Sequence, residues 1–346
     1  MTHDRAITAR STARLPARHR VVTGIAKRVG NISRMSDPYA FRIAEYARPS
    51  HMLVHLSDTH LRSGTGVFGI DAAANVERVM AELEQSGGKP DALVFTGDLA
   101  DLGEREAYAR LRAAVEPAAR RLGARVIWVM GNHDDRDVFR RELLDGSGDA
   151  PVDAVHDVDG LRVIVLDTSV PGALHGEISD DQLDWLALEL SIPAPHGTIL
   201  AMHHPPVPCV LDLATLVELR DQHRLAAVLR GSDVRAILAG HVHFSTSATF
   251  AGIPVSVASA TCYTQDLGVG DGGMRPRDGG QSYNLVHVHE ETVVHSVVPF
   301  ADAAPAEVTT AAETRRRLAA AGVVIPDSTA RARWERIASP SVPVRS

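Results

Sequence analysis

Five short apolar runs, each leading into a residue that can ligate a metal, constrain this chain more than any other feature. Residues 52–56 (MLVHL) lead to Asp58 and His60, 92–95 (ALVF) to Asp98, and 126–130 (VIWVM) to Asn132. Residues 198–202 (TILAM) lead to His203, and 234–239 (VRAILA) to His241 and His243. Runs of this length, rich in Val, Ile and Leu and closed by turn residues or breakers, read as buried strands. Polar residues just past the carboxyl ends of strands are where open α/β sheets carry their sites. Asp58/His60 and His241/His243 are i, i+2 pairs, expected to face one side of an extended chain. Gly97, Gly131 and Gly240 precede three of the candidates, where the missing side chain lets the backbone come close to a bound group.

The residue types narrow the chemistry. Asp, Asn and His without cysteine make an oxygen/nitrogen site suited to Mn, Fe or Zn rather than a thiolate structural site. Seven such ligands are about what two adjacent ions need while leaving positions open for water and substrate, as metal-assisted hydrolysis of a phosphate ester requires. Between the runs, 71–85, 105–122 and 180–190 carry apolar residues at helical spacing, the last after a Ser179-Asp180 cap signal. Later stretches 247–250, 254–258, 284–289 and 292–298 read as hairpin-like strand pairs turning at Ala251-Gly252 and Glu290-Glu291. The alternation is that of an α/β protein. With 346 residues, 45% of them hydrophobic, the chain can bury a large core, and no linker divides the motif-bearing stretch.

The five motifs resemble those of the calcineurin-like metallophosphoesterases: D-x-H at 58–60, G-D-x-x-D at 97–101, G-N-H-D at 131–134, His203, and G-H-x-H at 240–243. Segments 202–213 (MHHPPVPCVLDL), 229–267 and 284–297 (NLVHVHEETVVHSV) are similar to the mycobacterial branch of the class III cyclic nucleotide phosphodiesterases. The similarity spans residues 50–300. It implies a four-layer α-β-β-α sandwich of two mixed β-sheets. It also implies that one ion takes Asp58, His60, Asp98 and His243 while the other takes Asp98, Asn132, His203 and His241, with Asp98 bridging. Iron and manganese are the expected metals, with zinc compatible. The implied reaction opens 3′,5′-cyclic nucleotides, cyclic AMP above all, to 5′-monophosphates with a metal-bridging hydroxide as nucleophile. His60, Asn132, His133 and His243 would touch the substrate, His133 and Asn132 acting in catalysis. His133 would protonate the leaving ribose oxygen, oriented by the Asp101 carboxylate. Relatives form dimers, so a homodimer is one reading, and the sequence leaves the oligomeric state open.

Two other readings stay open: a broad phosphodiesterase taking 2′,3′-cyclic nucleotides or other phosphate esters, and a non-catalytic metal-binding interaction protein. A Ser/Thr phosphatase fits less well, because the arginine-bearing extension G-D-x-x-D-R-G of that branch is here GDLADLG. Other polar residues receive other expectations. His204 competes with His203, but neighbours on an extended chain point to opposite faces, so only one can be a ligand. Asp134 is either a supporting carboxylate or turn chemistry. His55 is structural, Asp167 holds a loop, and His287, His289 and His295 take exposed positions on late strands.

Residues 1–50 carry ten Lys/Arg against three acids, net +7, while the whole chain is −7, leaving −14 on the remainder. The expected organisation is a basic, disordered extension over 1–49, a catalytic domain over 50–300, and a C-terminal helix (310–321) with a flexible tail over 301–346. The basic ends could contact an anionic surface, and Met35 is an alternative start. Cys209 and Cys262 are too few for a disulfide framework, and no run is long enough to span a membrane or form a signal-peptide core. These features point to a soluble, cytoplasmic protein. The Gly-rich stretch 268–281 lacks the spacing of a phosphate-binding loop and is expected to be mobile.

Overall fold

The computed structural model describes residues 42–64, 66–270, 273–300 and 308–329. Most of the basic extension, Met35 and the end of the C-terminal tail from residue 330 lie outside the described residues.

Two mixed sheets form the body. One runs in the order Val293–Pro299, Ser282–Val288, His51–Leu56, Ala92–Thr96, Arg125–Val129, the last three parallel. The other runs Ala154–Val158, Leu161–Val165, Thr198–Ala201, Val234–Ala239, Ile253–Val257, Thr246–Phe250, with a parallel centre and antiparallel edges. Side-chain alternation divides the core into layers. In the first sheet Leu53 and Val94 join Val163, Ile199 and Leu238 of the second sheet in one cluster. Their neighbours Val54 and Phe95 point the other way, onto Val76, Val79 and Leu111 of the helices Ala72–Ser86 and Arg105–Leu122. On the far side, Ile164, Leu200 and Ile237 pack against Leu183 and Leu186 of Asp180–Glu189 and Leu225 and Leu229 of Gln222–Leu229. Three separate apolar clusters between four layers are the expected sandwich.

Local chemistry starts the helices where the sequence indicates. Asp71 accepts from the Ala74 N–H at 3.1 Å, and Ser179 forms a reciprocal capping box with Gln182. Two short helices escaped the periodicity reading, Gln222–Leu229 and Arg136–Leu143. The latter (RDVFRREL) buries only Phe139 and Leu143, too few for an apolar stripe; its start is set by Asp135 accepting from Val138 N–H at 2.9 Å. The edge strand Ala154–Val158 was missed for the same reason, with only Val158 fully buried. His287, His289 and His295 are half-buried rather than exposed; Tyr46 and Ala47 cover His289, whose Nδ1 meets the Ala47 carbonyl at 3.0 Å. Within the Gly-rich stretch, Pro276–Arg277 pairs antiparallel with Thr264–Gln265.

The chain divides into two compact units. The sandwich belongs to the larger, which spans Ile43–Thr310 and resumes at Ile325. In the smaller, the helix Ala311–Ala320 exposes Arg315, Arg316 and Arg317, and the Arg42 N–H donates to the Gly322 carbonyl at 2.8 Å. No described helix is long and apolar enough to cross a membrane.

Candidate metal centre

The parallel strands of both sheets end at one edge, and there the segments carrying the seven candidates are stitched together. Asp58 N–H donates to the Gly97 carbonyl at 3.0 Å, and Gly240 N–H to the His203 carbonyl at 3.0 Å. His203 Nδ1 reaches across to the Thr96 carbonyl at 2.7 Å, joining the two sheets. The i, i+2 pairs do converge, but not on an extended chain. Asp58 (φ 53°), His60 (41°), Asp98 (50°), His241 (77°) and His243 (61°) all lie in the left-handed region. Such residues cost on the order of 1–3 kcal/mol each and persist where surrounding structure imposes them, commonly at functional sites. Tight approach also needs the glycines. A Cβ on Gly131 would sit 2.2 Å from both the backbone N and the Oδ1 of Asp98, and Gly97, at φ 93°, lies under the His203 ring.

Each histidine is pinned by one nitrogen and turns the other inward. His60 Nδ1 donates to Asp101 Oδ1 (2.9 Å), His203 Nδ1 to the Thr96 carbonyl, His243 Nδ1 to the Tyr263 carbonyl (2.9 Å), and His241 Nε2 to the Val217 carbonyl (2.9 Å). These oxygens only accept, so the outer nitrogen carries the proton and the inner one of a neutral ring is a bare lone pair. Inner nitrogens meet at 3.1 Å (His60 and His243) and 3.2 Å (His203 and His241). Lone pairs that close repel unless a cation or a proton lies between them. Two nitrogens bound at right angles to one ion, each about 2.0–2.1 Å from it, would be separated by about 3 Å. The donor set therefore fits metal.

Carboxylates complete the cluster. Asp98 Oδ2 lies 3.5 Å from His60 Nε2 and 3.2 Å from His203 Nε2, between the two histidine pairs. Asp58 Oδ1 is 3.4 Å from His243 Nε2, and Asn132 Oδ1 is 3.1 Å from His203 Nε2. Burial favours neutral acids here, yet the neighbouring histidines hold Asp98 well below its usual range and Asp58 down to about 2. Burial likewise opposes a charge on His203, but Asp98 raises it to about 9, a proton standing where a cation would.

Asp101 serves a different histidine from the one expected. Its Oδ1 holds His60, its Oδ2 accepts from Arg62 Nε at 2.7 Å, and His133 Nδ1 is 3.9 Å from the carboxylate. His133 is held instead by the Asp101 main-chain carbonyl at 2.9 Å, its own N–H donating to Asp98 Oδ1 at 2.9 Å. Asp134 proves to be a support: it accepts from Leu99, Ala100 and Gly131 N–H and from Tyr108 Oη, tying the Asp98 loop to the Asn132 loop. His204 turns away, with Nδ1 on Thr168 Oγ1 at 2.8 Å and Nε2 on the Leu174 carbonyl at 3.1 Å. His55 is buried against Thr96 Oγ1, and Asp167 fastens Val152, Ser169 and Arg136.

A cavity of about 610 Å³ opens over Asp98, Asn132, His133, His241 and His243. Its wall was not legible in the motifs. Leu211, Leu213, Leu216 and Val217 line it together with Tyr263, Gln265 and Met274. Only the alternation of Tyr263 and Gln265 about Thr264 hinted at a shared face.

Comparison with known proteins adds context. Residues 51–245 match the family described as calcineurin-like phosphoesterase. A relative from Rhodococcus erythropolis named a probable cyclic nucleotide phosphodiesterase is 63% identical over 290 residues, covering 83% of this chain and 96% of the relative. A cAMP/cGMP dual specificity phosphodiesterase of Mycobacterium tuberculosis is 58% identical over 294 residues, 84% of this chain and 92% of the relative. A dimetal phosphatase from Danio rerio shares the fold with a TM-score of 0.55 at 17% identity, covering 72% of this chain and 96% of that one.

Proposed function

Because this chain belongs to the calcineurin-like phosphoesterases, whose members use a dinuclear metal centre, we propose that it hydrolyses 3′,5′-cyclic AMP and cyclic GMP to 5′-monophosphates. The observation that carries the chemistry is the meeting of four inward-facing imidazole nitrogens around Asp58, Asp98 and Asn132. The choice of substrate rests on the two bacterial relatives. We place the catalytic unit within residues 50–300. Asp58, His60, Asp98 and His243 would hold one ion and Asp98, Asn132, His203 and His241 the other, manganese and iron being the expected occupants. When bound, the ions supply Lewis acidity toward the phosphate and make a water acidic enough to attack it.

The side chains around that pair have separate tasks. Asp101 keeps the His60 lone pair inward by accepting from Nδ1. Asn132 and His243 line the space a phosphate would enter, and His60 lies behind, its Nε2 3.1 Å from that of His243. His133 stands more exposed at the cavity mouth, Nδ1 committed to the Asp101 carbonyl. To protonate a leaving ribose oxygen it must therefore carry the second proton on Nε2, entering as the imidazolium. The aliphatic residues of the cavity wall shed water from the space beside the cluster. That same wall favours a second reading, a broader phosphodiesterase, since aliphatic contacts discriminate weakly among organic groups.

The test is a set of specificity constants on 3′,5′-cyclic AMP, 3′,5′-cyclic GMP, 2′,3′-cyclic nucleotides and bis(p-nitrophenyl) phosphate, with metal analysis of protein purified without added metal. The expected result is a preference for the 3′,5′-cyclic purines over the 2′,3′-cyclic nucleotides, about two ions per chain, and loss of turnover in Asn132→Ala. Equal constants for the 3′,5′- and 2′,3′-cyclic nucleotides would remove the cyclic-nucleotide assignment in favour of the broader enzyme.

A further inference from the structure

Tyr263 and Gln265 sit on the cavity wall beside the candidate ligands Asp98, His241 and His243, and no role described above uses their side chains. They flank Thr264 on a short extended segment, so both face the cavity while Thr264 turns away to donate to the Gly279 carbonyl. The segment is fastened to the ligand-bearing loop on both sides. His243 Nδ1 donates to the Tyr263 carbonyl, and Gln265 N–H donates to the His243 carbonyl at 3.3 Å. Any group resting on these two side chains is thereby held at a set position relative to the ligand His243. The Tyr263 ring lies 4.4 Å from the His243 imidazole, with Phe68 edge-on at 4.9 Å, and it remains half-buried at the cavity. Gln265 is only 9% exposed, and its Oε1 has no hydrogen-bond partner among the described residues. A buried amide oxygen left unpaired is uncommon and calls for an explanation.

We propose that Tyr263 and Gln265 form the base-recognition platform of this site, Tyr263 offering an aromatic face and Gln265 reading the hydrogen-bonding edge of a purine. The proposal deepens the cyclic-nucleotide reading and rests on it. A carboxamide presents one acceptor beside one donor. Adenine offers the exocyclic N6–H as donor and a ring nitrogen as acceptor, whereas guanine offers O6 as acceptor and N1–H as donor. Rotation of the Gln265 carboxamide by half a turn about its last torsion exchanges oxygen and nitrogen, so the same side chain complements either purine. In either orientation one of its amide atoms gains the partner it now lacks.

The experiment compares kcat/KM for cyclic AMP, cyclic GMP and bis(p-nitrophenyl) phosphate, a diester with no base, in wild type, Gln265→Leu, Tyr263→Leu and Tyr263→Phe. The readout is the ratio of each cyclic nucleotide to the base-less diester, which cancels any general loss of fold or metal. In Gln265→Leu and Tyr263→Leu both ratios should fall about tenfold or more, whereas Tyr263→Phe, which keeps the ring, should stay near wild type. Ratios that hold constant in Gln265→Leu, whether the rates persist or fall together, overturn the platform. A ratio that falls for one purine only overturns the rotating carboxamide. A wild-type enzyme that turns over the base-less diester but not cyclic AMP or cyclic GMP overturns the functional reading itself, and the platform with it.

Discussion

Asp101→Asn isolates the contact on which one ion's ligand depends. The Asp101 carboxylate accepts from His60 Nδ1 at 2.9 Å and from Arg62 Nε at 2.7 Å, one oxygen to each donor. Burial favours its neutral form, but the hydrogen bonds from His60 and Arg62 hold it down to about 2, so it is ionised across the working range. Asparagine offers a single oxygen. If that oxygen goes to Arg62, the new NH₂ opposes the His60 Nδ1–H, and the ring relieves the clash by moving its proton to Nε2. That nitrogen faces Asp98 and His243, and a protonated nitrogen cannot ligate. A hydrogen bond to a charged partner contributes about 1.5–3 kcal/mol, which corresponds to roughly ten- to a hundredfold in ion affinity. The assay is activity against free Mn²⁺ in metal buffers, paired with calorimetric metal titration. The half-saturating Mn²⁺ should rise by that factor, kcat should recover at saturation, and cyclic AMP and an aryl phosphodiester should respond alike. Unchanged metal affinity with a collapse confined to cyclic AMP would refute this account and return Asp101 to the service of His133.

Three further outcomes are expected. His133→Ala should lower cyclic AMP turnover about 10²- to 10⁴-fold but a p-nitrophenyl diester far less, because p-nitrophenolate leaves without a proton; equal losses would exclude a proton-donor role. Gly131→Ala forces a Cβ to within 2.2 Å of the Asp98 backbone N and carboxylate, so the variant should lose metal on gel filtration and melt at lower temperature; a metal-replete, normally stable protein would contradict the geometry. Burial raises Asp153 to about 6, above its unfolded value, so the cost of its charge is fully present above pH 6 and is relieved as pH falls toward 4. Asp153→Asn, which keeps an acceptor for Asp167 N–H and Gln182 Nε2, should stabilise the fold by on the order of 1–2 kcal/mol at pH 7.5 and by little near pH 4, read from urea midpoints; a gain independent of pH would refute the assignment.

Much of the site was legible because its components are local. A Val-rich run ending in Asp or His reports both a strand and what stands at its end, and the helices Ala72–Ser86 and Asp180–Glu189 begin where Asp71 and Ser179 mark their caps. The less legible elements lack that local redundancy. The helix Arg136–Leu143 buries two side chains and is otherwise charged, and its place is set by packing rather than by periodicity. Asp101 misled because a carboxylate near both His60 and His133 can serve either, and only the relative placement of two loops selects one.

The amino-acid order alone determined the donor types, the alternation of strands and helices, and the sandwich that its motifs imply, since these follow from residue identity and short-range period. Tertiary structure decided how the ligands turn inward, through left-handed backbone at Asp58, His60, Asp98, His241 and His243 rather than through strand pleat. It also decided that carbonyls of Thr96, Val217 and Tyr263 choose the histidine tautomers, and that Leu211, Leu216, Tyr263 and Gln265 wall the cavity. These contacts join segments separated by tens to hundreds of residues. A linear pattern carries no register between such segments until the two sheets have packed and brought their ends to a common edge.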